Sequence, residues 1–180
     1  MNSLVKANTQ ISTNNILNEE NEDQFLTFML GGEMFALEIL NIKEIIEYGQ
    51  VTTVPMMPGF VRGVINLRGA VVPVIDLSIR FGAKKTEVGK RTCIVIVEIE
   101  LHDEKHVIGV IVDSVSEVLA IPNTQIEKAP AFGAKLRADF IKGMGKIDSR
   151  FVIILNIEQV LSMEEMLELV EKVEDVKKLA

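Results

Sequence analysis

The stretch GVINLRGAVVPVIDL, Gly63 to Leu77, is almost wholly apolar and contains a single cation, Arg68. Apolar runs of this length, bounded by turn residues, favour buried strands. We therefore predict two strands that meet at a turn formed by Arg68 and Gly69. Proline cannot donate a hydrogen bond to a sheet, so the strand that holds Pro73 is predicted to be an edge strand or to carry a bulge there.

The same pattern recurs later in the chain. Residues 61–77 align without a gap on residues 141–157, at a constant offset of 80. Residues 35–46 align on residues 108–119 at an offset of 73. We predict an internal repeat with about five short strands in each half. A sheet of that size leaves its edges exposed, so each half is expected to close into a small β-barrel, with a cleft between the two barrels.

The composition changes along the chain and suggests domain boundaries. Residues 1–24 are rich in Asn, Ser, Thr and Glu, which predicts a disordered tail. Residues 25–166 are predicted to form one domain of two lobes, at about 25–90 and 91–160, with an exchange of terminal strands between them left open. Residues 161–180 are predicted to form a C-terminal helix, with acidic residues early and lysines late.

The bulk composition excludes several classes of function. The net charge is −7 and the sequence shows no basic stripe with interleaved aromatic residues, which argues against nucleic-acid binding. The longest uncharged apolar runs, such as Cys93 to Val97, are far shorter than the ~20 residues of a membrane span. A single cysteine and an opening stretch unlike a signal peptide favour a reducing cytoplasm.

The reactive side chains form no recognisable catalytic set. His102 and His106 are expected to flank a hairpin tip, where their spacing does not build a metal site. Cys93 opens an apolar strand and is interpreted as a buried structural thiol. Asp76 and Asp113 follow apolar runs and are interpreted as acceptors of loop hydrogen bonds, with catalytic carboxylates as the alternative. We predict no enzymatic activity, no cofactor and no metal.

Arg68 is the most distinctive candidate binding residue. Its planar guanidinium carries five N–H donors, and Gly69 beside it permits the backbone angle that presents the side chain. Two roles remain open at this point. Arg68 holds a carboxylate or carbonyl within this protein, or it docks the carboxylate or carbonyl of a partner at the cleft.

These motifs resemble the CheW-like family of bacterial chemotaxis adaptors. The likeness extends over about residues 25–166, and the stretch GVINLRGAVVPVIDL is its most specific part. The stretches that carry the resemblance are Phe28 to Ile45, Val54 to Leu77, Val107 to Leu119, Phe140 to Ile147 and Phe151 to Met166.

The resemblance implies a fold of two SH3-like, five-stranded β-barrels around a shared core. It implies an adaptor that couples chemoreceptors to the histidine kinase CheA. The expected partners are the cytoplasmic tip of a receptor, bound in the groove between the lobes, and the CheW-like regulatory domain of CheA. The expected location is the cytoplasm, at membrane receptor arrays and without membrane insertion. The same domain occurs in CheV, so a CheV-like coupler is the alternative; the lack of a receiver domain favours the stand-alone adaptor.

The resemblance also implies which residues bind partners. Arg68 matches the functionally sensitive arginine of the family, and Asn66 and Gly69 shape the same loop. The positions that match receptor-side contacts are Ile42, Glu44, Gly63, Val115 and Val118.

Overall fold

The computed structural model describes residues 23–128 and 136–161. The predicted N-terminal tail and C-terminal helix lie outside these ranges, apart from their innermost residues. The described part is mainly β, which confirms the predicted fold class. Its strands are β1 (Gln24–Leu30), β2 (Glu33–Glu38), β3 (Ile42–Glu47), β4 (Val61–Leu67), β5 (Ala70–Asp76), β6 (Cys93–Leu101), β7 (Glu104–Val112), β8 (Ser114–Ala120), β9 (Ile126–Glu127), β10 (Ile141–Ile147) and β11 (Arg150–Leu155).

Two single-turn helices follow the two repeated hairpins. Helix α1 (Leu77–Arg80) continues from β5, and helix α2 (Ile157–Val160) continues from β11. Each begins after a capping side chain that accepts a backbone hydrogen bond: Asp76 accepts from the N–H of Ser78, and Asn156 from that of Gln159. Short polar side chains at this position satisfy N–H groups that have no partner inside the helix.

The strands form two sheets. The five-stranded sheet has the order β3-β6-β7-β5-β4, and the six-stranded sheet has the order β8-β1-β2-β11-β10-β9. We call the five-stranded sheet with α1 the first lobe, and the six-stranded sheet with α2 the second lobe. The hairpin β1–β2 therefore lies in the second lobe and the hairpin β6–β7 in the first. Each sheet therefore combines strands from both sides of the predicted boundary near residue 90.

The internal repeat is visible in the strand pairing as well as in the sequence. Each lobe contains one parallel contact, between β5 and β7 in the first and between β11 and β2 in the second. The antiparallel register shifts once in each repeated hairpin, at Arg62 in β4 and at Lys142 in β10. These two bulges are 80 residues apart, as the alignment requires.

Four hairpins close through two-residue turns with positive φ at both residues. They are Gly31–Gly32, Arg68–Gly69, His102–Asp103 and Asp148–Ser149. Two consecutive left-handed residues suit the right-handed twist of the strands that they connect. The predicted turn at Arg68 and Gly69 is one of these four.

Buried apolar side chains form three clusters. The largest lies between the lobes and draws on both sheets. A second lies within the first lobe and includes Ile65 of β4 with Ile46 of β3, from opposite edges of that sheet. A third lies within the second lobe and includes Leu119 of β8 with Ile126 of β9, again from opposite edges. Each sheet therefore curls around a core of its own, as expected for a barrel.

The prediction that Pro73 lies in an edge strand or at a bulge is wrong. Strand β5 lies between β4 and β7. Its pairing with β7 begins only at Val74, so the missing N–H of Pro73 interrupts no hydrogen bond on that side. The bulge is in the neighbouring strand β4, at Arg62. A central strand tolerates this proline because one of its two ladders has not yet started there.

Candidate partner-binding site

Arg68 makes a two-point ion pair with Glu44. Its Nη1 and Nη2 lie 2.8 and 2.9 Å from the two carboxylate oxygens of Glu44. Arg68 belongs to the β4–β5 turn and Glu44 to β3, so the pair joins the two opposite edges of the first sheet. The hydrogen bond to Glu44, and then its negative charge, raise the pKa of Arg68. The arginine side chain nevertheless remains 77% exposed.

The turn that presents Arg68 is held by its neighbours. The backbone φ angles are 51° at Arg68 and 86° at Gly69. The side-chain oxygen of Asn66 accepts a hydrogen bond from the N–H of Gly69 at 2.8 Å. Asn66 and Gly69 therefore shape this loop, as the resemblance implied. Of the two roles open for Arg68, the internal ion pair is present, and the exposed guanidinium still faces solvent.

Gly63 lies in the interior of the first lobe. A Cβ on this residue would lie 2.1 Å from the carbonyl oxygen of Thr52, closer than any real contact allows. Thr52 exchanges two backbone hydrogen bonds of 2.8 Å with Val64, so the chain crosses directly over Gly63. The structure thus gives Gly63, which is buried, a packing role.

The other predicted positions lie on β3 and β8, which are edge strands of their sheets among the described residues. Ile42 of β3 and Val115 of β8 are repeat mates, and both pack against the core between the lobes. Val118 of β8 points outward and is 50% exposed. Ile45, which the resemblance did not single out, is the repeat mate of Val118 and is 42% exposed. The offset of 73 would have identified it.

Cys93 lies between these two strands. It pairs with Glu47 of β3, and its thiol is within hydrogen-bonding reach of the backbone at Val115 of β8. Burial and then the charge of Glu47 raise the pKa of the thiol, while the contact with Val115 acts in the opposite direction. The thiol is therefore neutral at pH 7 and is a poor nucleophile. The beginning of β8 thus lies beside the first lobe.

The two carboxylates considered as catalytic candidates are held by structural contacts. Asp76 is fully buried and receives hydrogen bonds from Ser78, Thr86 and Arg62. Asp113 accepts one from the N–H of Gly31 at 2.8 Å. Both act as acceptors for loops and turns, in line with the simpler interpretation of the sequence.

The histidines are placed apart in the β6–β7 hairpin. His102 is in the turn, and His106 is on β7 opposite Ile99. Within residues 23–128 and 136–161, no three His, Cys, Asp or Glu side chains are grouped to hold a metal ion. The helices of that same part of the chain are too short to cross a bilayer.

The chain is similar to known chemotaxis proteins along most of its length. The family model described as CheW-like domain matches residues 24–165. The "Chemotaxis protein CheW" of Klebsiella aerogenes is 38% identical over 142 residues, which cover 79% of this chain and 83% of that protein. The protein of the same name from Helicobacter pylori is 36% identical over 148 residues, which cover 81% of this chain and 87% of that protein.

A solved structure shows the same fold. The scaffolding protein TtCheW from Thermoanaerobacter tengcongensis superposes with a TM-score of 0.70 at 33% identity. The superposition covers 80% of this chain and 90% of that one. The family model covers most of this chain, and the two sheets of the chain superpose on those of the solved structure. This chain therefore belongs to the CheW-like domain family.

Proposed function

We propose that this protein is a chemotaxis adaptor that couples methyl-accepting chemoreceptors to the histidine kinase CheA in signalling arrays. The observation that carries the proposal is the match to two chemotaxis CheW proteins over most of both chains, at 38% and 36% identity. A CheV-like coupler is not favoured, because these relatives, matched over 83% or more of their own length, carry the name CheW.

The first partner is the cytoplasmic tip of a receptor, which lies against β3 and β8. Ile45 and Val118 offer exposed aliphatic side chains on these strands, and Arg68 offers a cation at the neighbouring turn. A helical hairpin presents both apolar and acidic side chains, which suit this combination. The surface is small, so a modest interface with a few dominant anchors is expected.

The second partner is the CheW-like regulatory domain of CheA, bound through other exposed strands and loops. Binding two partners at once links them without any chemical step. Many weak contacts in an array then act at high effective concentration. Because Asp76 and Asp113 already accept hydrogen bonds from loops and turns, a catalytic role for them is not part of the proposal. The protein works at the cytoplasmic side of the membrane, held there by its partners.

The proposal is tested with purified components. A receptor cytoplasmic fragment and the regulatory domain of CheA are each titrated into the protein, and then both together, by calorimetry. We expect binding of each alone and a complex of all three. If the folded protein binds neither component, the proposal is wrong.

Replacement of Arg68 by Glu tests the site itself. We expect unchanged folding, because Arg68 is largely exposed and surface ion pairs contribute little to stability. We also expect weaker binding of the receptor fragment and reduced receptor-dependent CheA activity. Arg150→Glu is the matched control, because Arg150 is an exposed arginine at the corresponding hairpin of the second lobe.

The exchange Arg68→Glu with Glu44→Arg separates the two roles of the arginine. The exchange restores the internal ion pair with the charges reversed. If coupling returns, the internal pair is what matters. If coupling stays impaired while the melting temperature matches the parent protein, Arg68 serves the partner directly.

A further inference from the structure

Arg80 touches both lobes at once. It is the last residue of α1 in the first lobe, and its Nε donates a hydrogen bond to the carbonyl oxygen of Val160 in the second lobe at 2.8 Å. Its guanidinium carbon lies 5.2 Å from the ring centre of Phe60 and 5.0 Å from that of Phe140. Phe60 belongs to the first lobe and Phe140 to the second. One side chain therefore bridges two rings and a carbonyl across the contact between the lobes.

The groups around Arg80 are repeat mates. Phe60 and Phe140 are 80 residues apart, as are Arg80 and Val160. The backbone around the rings is also equivalent: the carbonyl of Phe60 accepts from the N–H of Asp76 at 2.7 Å, and that of Phe140 from Asn156 at 2.8 Å. Arg80 thus lies between equivalent positions of the two repeats. The second repeat has valine where the first has arginine, so Arg80 lies over the rings of both repeats. Arg137 also lies over the ring of Phe140, with its guanidinium carbon 4.6 Å from the ring centre, but it does not reach Val160 or Phe60 in the described contacts.

Arg80 is surrounded by packed aromatic rings. Phe81, the next residue, packs on Phe35 at 5.6 Å and on Phe140 at 6.0 Å between ring centres. Phe35 in turn stacks on Phe28 at 6.0 Å. These four rings form a continuous row between the lobes. A cation over aromatic faces, with its N–H bonded to a carbonyl, is attracted more strongly where water is largely excluded.

We propose that Arg80 is a positioning residue that fixes the angle between the two lobes. The proposed receptor-binding surface spans both, through β3 in the first lobe and β8 in the second. A partner that contacts both strands binds well only if their separation is held constant. This inference rests on the proposed function for its consequence in binding. The structural part of the inference, the fixed angle, does not depend on the proposed function, because it is argued from the contacts of Arg80.

The lobe geometry is measured with two spin labels, one on each lobe. Lys105→Cys on β7 and Lys146→Cys on β10 are exposed sites, with Cys93→Ala in the background. We expect a narrow distance distribution in the parent protein and a broader or shifted one after Arg80→Met. Equal distributions in the two proteins would overturn the proposal, whatever the partners do.

Binding provides the second measurement. We expect Arg80→Met to weaken binding of a chemoreceptor cytoplasmic fragment by about fivefold or more, since coupling between sites typically has this size. Arg80→Lys keeps the charge and should restore part of the loss. Arg150→Met, which removes an exposed arginine elsewhere, should bind like the parent protein. The titrations are made at a temperature where circular dichroism shows every variant to be folded.

The outcomes separate the two proposals. If the parent protein does not bind the receptor fragment, the proposed function is wrong, and the distance measurement still decides the role of Arg80. If the parent binds and Arg80→Met binds equally well, the positioning role is wrong. Should Arg80→Met fail to fold, Arg80→Gln, which removes the charge but stays polar, is compared with the parent in both experiments, and an unchanged distance distribution overturns the proposal.

Discussion

Asp76 joins three segments of the first lobe through one buried carboxylate. It accepts hydrogen bonds from Ser78 in α1, from Thr86 in the following loop and from Arg62 in the bulge of β4. The repeat mate of this residue is Asn156, which caps α2 but carries no charge. The second lobe therefore needs no buried counter-ion at this position, and Lys142, the mate of Arg62, pairs with Glu38 of β2 instead.

Replacement of Asp76 by Ala should destabilise the protein strongly. The change leaves the guanidinium of Arg62, whose side chain is only 13% exposed, without its counter-charge. Breaking one side of a buried pair costs about 3–5 kcal/mol. Urea unfolding measures the loss. Asp113→Ala removes a single hydrogen bond to Gly31 and should cost about 1 kcal/mol; equal losses in the two variants would contradict this account.

Replacement of Gly63 by Ala tests the chain crossing. The new Cβ would overlap the Thr52 carbonyl, and the backbone φ of 153° adds strain. Overpacking and strain together should cost about 3 kcal/mol or more, measured by urea unfolding. Gly59→Ala has open space around it and should stay within about 0.5 kcal/mol of the parent. A stable, fully folded Gly63→Ala protein would show that the crossing can move.

The sequence predicts the turn at Arg68 and Gly69, but it does not predict which residues Arg68 and Gly63 contact. The exposed turn at Arg68 follows from two apolar runs around Arg-Gly. The pairing with Glu44 does not, since it depends on the sheet curling until its first and last strands meet. The burial of Gly63 also depends on a distant segment, at Thr52, that no local pattern indicates.

At the scale of the elements, a polar side chain fills the irregularity in the pairing of β1 with β8. Strands β1 and β8 shift register between Leu26 and Phe28. The hydroxyl of Thr27 fills this gap, because it accepts from the N–H of Glu117 at 3.1 Å and donates to the carbonyl of the same residue at 2.8 Å. A fully buried threonine thus replaces the missing backbone partner of an edge strand.

Replacement of Thr27 by Val should loosen β8. The two side chains have nearly the same shape, but valine cannot bond either backbone group of Glu117. Each unsatisfied buried group costs about 1–3 kcal/mol. Hydrogen exchange should therefore quicken at the β8 amides while those of β6 and β7 stay protected. Thr124→Val, at an exposed position of the same lobe, is the control. Uniform loss of protection across both sheets would point to global destabilisation instead.

Element boundaries are predicted unevenly. The hairpins β1–β2 and β6–β7 follow directly from apolar runs around short polar turns. The isoleucine spacing at Ile42, Ile45 and Ile46 is compatible with a strand or with a helical turn, and the segment contains both, a 3₁₀ turn at Ile39–Asn41 and then β3. The prediction for Pro73 is wrong because a proline disrupts a sheet only where its missing N–H would face a paired neighbour. Local sequence does not encode where β7 begins to pair with β5.

At the scale of the whole molecule, the lobes are interlocked. Each contributes apolar side chains to the core between them, and each takes a hairpin from the other half of the sequence. Neither half of the chain therefore contains all the strands of either sheet. The repeat in the sequence predicts two similar lobes, but the exchange of hairpins is decided by the two parallel pairings, β5 with β7 and β11 with β2.

We expect the described part of the protein to unfold in a single cooperative transition. Opening one lobe would expose both its own core and the core that it shares. The fluorescence of Tyr48 reports on the first lobe, and circular dichroism reports on both sheets. The two urea curves should coincide, and the amides of β4 and β10 should share one opening free energy. Two separate midpoints would show that the lobes are independent.

The exchange of hairpins has a consequence for synthesis on the ribosome. The first sheet, β3 to β7, is complete once Val112 has emerged, and it can close while translation continues. The hairpin β1–β2 leaves the exit tunnel first, but its parallel partner β11 ends only at Leu155. At about 5–20 residues per second, the β2 flank of the nascent hairpin stays unpaired for several seconds. Chaperones that recognise exposed strands therefore have their best target in the nascent hairpin β1–β2.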